Sequence, residues 1–73
     1  MARLSVLSGK AVCGILEKNG FMMVRQRVSH IVMQKKLPKS TITIPVPNHP
    51  ELRIGTLQSI IRQSGISRSE FEP

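Results

Sequence analysis

At 73 residues the chain is long enough for one small domain, 1–73, whose core alone leaves little net stability. One cysteine (Cys13), two histidines and four acids, all Glu, exclude an internal disulfide and supply no metal site, so a partner protein is the expected stabiliser. Lys plus Arg is 11 against those 4 acids, a net charge of +7 that favours a polyanionic partner such as nucleic acid, while two Phe with no Tyr or Trp exclude the aromatic platforms on which single-strand readers stack bases.

Ser8 is a good N-cap, Val12, Ile15 and Leu16 follow at helical spacing, and Asn19-Gly20 is a stop signal. A helix is expected over Gly9 to Lys18. Phe21 to Arg27 and Ser29 to Lys35 read as strands. Thr41 to Val46 is the clearest strand, because Thr and Ile alternate with period two, and Pro45 must sit at its end or on an edge. Lys36 to Ser40 is a loop, and PVPNHP (45–50) is a proline-rich exit. Leu57, Ile60 and Ile61 recur at helical spacing before Ser64-Gly65, so a second helix is expected over Ile54 to Ser64. Ser67-x-x-Glu70 is a capping-box pattern for a short final turn. No apolar run approaches the ~18 residues of a spanning helix, and the first residues lack the long apolar stretch of a signal peptide. The expectation is a soluble cytoplasmic protein with no membrane partner.

The order is helix, three strands, helix. That is an α+β two-layer α-β-β-β-α sandwich, with a three-stranded antiparallel sheet burying one face under both helices. Strand parity assigns the faces. Ile42, Ile44 and Val46 belong under the helices, as do Ile31 and Met33, and parity adds Met22 and Val24 from the first strand. The other face then carries Arg25, Arg27, His30, Gln34, Thr41 and Thr43, a polar and basic surface suited to a substrate.

The stretches LSGKAVCGILEKNGFMMVRQR (7–27), Ser29-His30, ITIPVPNH (42–49) and ELRIGTLQSIIRQSGISRSEF (51–71) resemble the HicA toxin family, small mRNA-cleaving proteins of bacterial toxin–antitoxin pairs. The resemblance runs in order over nearly the whole chain. It implies a fold similar to a double-stranded RNA-binding domain, an endoribonuclease with His30 as catalytic histidine, and a HicB-like antitoxin as partner. Where the family has glycine before Ser-His, this chain has Val28. A tight type II′ hairpin there would need φ > 0, which a valine resists, so Val28 either holds a strained turn or lies in a wider loop with negative φ.

RNA carries its own nucleophile, the 2′-hydroxyl, so a nuclease needs to hold the phosphate and move two protons. Histidine suits either transfer because its reference pKa is about 6.5. Arg25 and Arg27 on the neighbouring strand, and Lys35, Lys36 and Lys39 near the hairpin ends, are candidate phosphate ligands. Ser29 is a candidate to orient substrate or imidazole. No carboxylate cluster suggests a two-metal reaction, and no cofactor is expected. His49, between Asn48 and Pro50, reads as a turn residue, and Cys13 as a small buried residue of the first helix. A non-catalytic RNA-binding module of the same fold is the alternative, and a basic protein that binds only another protein is a third reading.

Overall fold

The computed structural model describes residues 6–72. Helix α1 runs Gly9–Lys18, strands β1, β2 and β3 run Met22–Gln26, His30–Lys36 and Thr41–Pro47, helix α2 runs Ile54–Ser64, and a last 3-10 turn covers Arg68–Phe71. Both helices have the expected bounds, and each strand is within a residue or so of its expected span.

Local chemistry explains why the helices start and stop where they do. The Ser8 hydroxyl accepts from the Ala11 N–H at 3.0 Å, which satisfies one of the orphan donors of α1. Gly20, at φ 93°, turns the chain away after Asn19, and the Phe21 N–H returns to the Leu16 carbonyl at 3.0 Å. The second helix ends on Gly65 at φ 72°. Ser64 is buried there, and its hydroxyl bridges the Ile61 carbonyl and the Ile66 N–H. In the final turn Ser67 does cap, but its hydroxyl receives the Ser69 N–H at a long 3.4 Å rather than that of Glu70.

The sheet is antiparallel with order β1-β2-β3. Val12, Cys13 and Leu16 of α1 and Leu57 and Ile60 of α2 close over Ile31, Met33, Ile44 and Val46. Each fully buried aliphatic residue of this kind contributes about 1.5–3 kcal/mol. The last turn belongs to this core, since it lowers Phe71 into it to 1% exposure.

The face assignment holds for β2 and β3 and fails at the start of β1. Met23 lies opposite the buried Met33, on the helix side, whereas Met22 lies opposite Gln34, on the open side. The register then shifts between Met23 and Arg25, leaving Val24 without a partner. This β-bulge adds one residue to β1, which resets the alternation. Met22 and Val24 therefore flank Gln34 and Lys36 on the open face. Beyond the bulge Arg25 lies opposite Val32, on the face expected for it.

Candidate functional site

His30 is the first residue of β2 and is exposed on the open face. It faces Pro47 across β3. On the other side the Arg27 N–H donates to the His30 carbonyl at 2.7 Å, so Arg27 is its cross-strand neighbour. Arg25 is opposite Val32, two residues along β2 on the same face, a diagonal separation of roughly 7–8 Å between backbones. The imidazole Nδ1 lies 3.1 Å from the Ser29 hydroxyl. That contact steadies the ring and leaves Nε2 open to solvent.

The hairpin that carries His30 is not a type II′ turn. No described residue other than glycine has positive φ, so Val28 and Ser29 are unstrained, and the Val28 side chain is 96% exposed. The turn is held instead by Asn48, just past β3. The Asn48 N–H donates to the Ser29 carbonyl at 2.9 Å, and its Nδ2 donates to the Val28 carbonyl at 3.4 Å. Asn48 is in turn fixed by α1. The Gly9 N–H donates to the His49 carbonyl at 2.9 Å, and a Cβ on Gly9 would overlap the Pro47 carbonyl oxygen. Three segments distant in sequence thus converge behind His30. Sequence reading missed Asn48, because an asparagine in a proline-rich exit looks like an ordinary turn residue.

The lysines do not join this cluster. Lys35 points to the helix side, the same side as Ile31 and Met33. Its Nζ donates to the Asn19 carbonyl at 3.0 Å and lies 5.9 Å from the Phe21 ring centroid. A cation at a helix C-terminus offsets the dipole, and this one also closes the end of α1. Its expected place beside His30 is corrected on that ground. Lys36 is on the open face but six residues further along β2, roughly 20 Å from His30. Lys39 sits in the β2–β3 turn, at that same far end. The open face thus has a histidine–arginine end and a lysine end, with Gln34 bonded to Thr43 between them at 3.2 Å.

Among the described residues the one ion pair is Arg68 with Glu72, on the final turn. Among the described residues no ion pair involves the cations of the open face. No group of three or more His, Cys, Asp or Glu gathers among the described residues. Cys13 is buried, and its thiol is pushed up from the ordinary 9.0, first by burial and then by the nearby Glu17 charge. A thiol held protonated in this way is a poor nucleophile. His49 is part of the loop after β3, where its backbone receives the start of α1.

Fold and site together define a small basic α+β sandwich that leaves one sheet face open, with a histidine and two arginines at one end of it. The sequence model of the family described as "HicA toxin of bacterial toxin-antitoxin" matches residues 9–66, which span both helices and the whole sheet. The chain belongs to the HicA toxin family. Membership carries a toxin role and a cognate antitoxin as partner. No individual curated protein matches the chain. No helix among the described residues is long and apolar enough to cross a membrane.

Proposed function

We propose that the chain is an endoribonuclease that binds mRNA on the open sheet face and cleaves it with His30. The observation that carries this reading is the setting of His30. It is exposed, its Nδ1 side is held by Ser29, and among the described residues its flanking cations form no ion pair. With Nδ1–H donated to the Ser29 hydroxyl, the free Nε2 accepts the 2′-hydroxyl proton. The 2′-oxygen then attacks phosphorus, and the bond to the 5′-oxygen breaks. The protonated imidazole returns a proton to that leaving oxygen, and a 2′,3′-cyclic phosphate remains. Arg25 and Arg27 offset the charge that gathers on the phosphoryl oxygens. A single imidazole that serves as both acid and base makes a slow catalyst. The chemistry asks nothing of a metal ion, in keeping with the donor set on this face.

Val28 and Ser29 hold His30 on backbone with negative φ, so no strain is stored in the turn that carries it. A HicB-like antitoxin inhibits most simply by covering His30 with an acidic surface. The deciding experiment compares the wild type with His30→Ala for RNA cleavage, growth arrest, melting and RNA binding. Cleavage and growth arrest are lost, while melting and most of the RNA affinity stay, because His30 lies outside the core. Wild-type cleavage persists in EDTA. Equal cleavage by the two proteins, or activity that only added magnesium restores, would overturn the reading.

A further inference from the structure

The two edges of the sheet are finished differently. The outer edge of β3 carries Pro45 and Pro47, which lack N–H groups, and α2 packs beside that strand. Proline is a common way to close an edge against further pairing. β1 has no proline, and among the described residues nothing pairs with its outer side. Every residue of β1 is exposed, and three consecutive ones are large and apolar: Met22 at 69%, Met23 at 52% and Val24 at 52%. An exposed apolar edge is a ready template for another strand.

A groove of about 360 Å³ runs along the helix side of this edge. Cys13 and Glu17 of α1 form one wall, Met23 of β1 the other, Ile31 and Met33 the floor, and Lys10 also borders it. An incoming strand would therefore find backbone partners along β1 and a place for an apolar side chain beside Met23.

Charge selects the occupant. A second copy of this chain would bring another net +7 against the first, with Arg25 and Arg27 exposed at the end of the same edge. An acidic partner meets Lys10, Arg25 and Arg27 with complementary charge. We infer that the cognate antitoxin adds an extended, acidic segment to the outer edge of β1, with one apolar side chain seated in the α1–β1 groove beside Met23. The inference rests on the family's antitoxin partnership and not on RNA cleavage. This mode of recognition takes affinity from main-chain hydrogen bonds and specificity from pockets for alternate side chains. It also brings the partner alongside Arg25, at the His30 end of the open face.

The test uses the intact chain and its cognate antitoxin. In Met23→Glu a carboxylate replaces the groove-lining side chain. Its affinity for the antitoxin falls by about tenfold or more, as for loss of a central anchor. Its melting and RNA cleavage match the wild type, because Met23 faces away from His30. Ile54→Glu, at an exposed apolar residue on α2, binds the antitoxin like the wild type. Hydrogen exchange on unmodified proteins provides a second reading, in which the β1 amides slow when the antitoxin binds. Undiminished affinity in Met23→Glu would overturn the inference, as would unchanged β1 exchange in the complex or a free chain that dimerises through β1. Absence of RNA cleavage in every variant would count against the nuclease reading alone, since affinity and exchange are read independently of it.

Discussion

Two glycines of α1, five residues apart, undergo the same substitution with opposite results. Gly9 opens the helix against the β3 exit. A Cβ there would overlap the Pro47 carbonyl oxygen, a backbone atom that cannot swing aside as a side-chain tip can. The helix start cannot back away without giving up the Gly9 N–H bond to His49. Overpacking of this kind costs about 1–3 kcal/mol, and a lost hydrogen bond about 0.5–1.5 kcal/mol more. A domain this small has only about 3–5 kcal/mol from its core, so Gly9→Ala removes a third or more of the stability. At about 4–8 °C per kcal/mol, its melting temperature falls by roughly 6 °C or more. Gly14 lies mid-helix with nothing within 4 Å of where its Cβ would be. Gly14→Ala gains about 0.5–1 kcal/mol from helix propensity, a rise of about 2–8 °C. Circular dichroism melts of both variants beside the wild type measure the difference. If Gly9→Ala melts with the wild type, or if both variants shift the same way, the close approach of α1 to Pro47 is not what fixes this corner of the fold.

Three other outcomes are expected. RNA affinity falls steeply with added salt and shows little base preference, because phosphate contacts release counterions. Arg25→Ala lowers the salt slope by about one, whereas Lys35→Ala lowers melting and leaves the slope alone, as titrations across a salt series would show. Val28→Gly cleaves no faster than the wild type and melts lower by the ~0.5–1 kcal/mol that glycine's freedom costs. A faster and more stable variant would restore the idea of a strained turn. Cys13 reacts slowly with a thiol reagent until denaturant is added. Its thiol is raised in the folded chain, so stability is unaffected below the unfolded value and declines as pH climbs past 9.0, which urea melts at pH 8 and 10 would detect.

The helices were legible because each carries its own punctuation. Ser8, Gly20 and Gly65 act within a few residues of the turns they end, so sequence proximity and physical cause coincide. The inner faces of β2 and β3 were legible through strict alternation. β1 was misassigned at Met22 and Val24 because a bulge has no local mark in MMVRQ, where apolar residues are consecutive and either register looks acceptable. Lys35 shares the parity of Ile31 and Met33, which sets it on the helix side even though its charge suits the open face. The support of Ser29 by Asn48 could not be read at all, since it joins segments about twenty residues apart and depends on how β3 leaves the sheet.

That support has a consequence for when the chain becomes dangerous to its host. The His30 turn takes its shape from Asn48, and the segment that carries Asn48 is held by the Gly9 N–H bond to the His49 carbonyl. These contacts link the first helix, the middle hairpin and the exit of the third strand, so they close only after the long-range pairing of the sheet, the slow part of folding. A chain that has made α1 and the β1–β2 hairpin but not yet seated β3 has its histidine on an unsupported loop. The geometry around His30 is therefore among the last features the chain acquires, after α1 and the β1–β2 hairpin have formed.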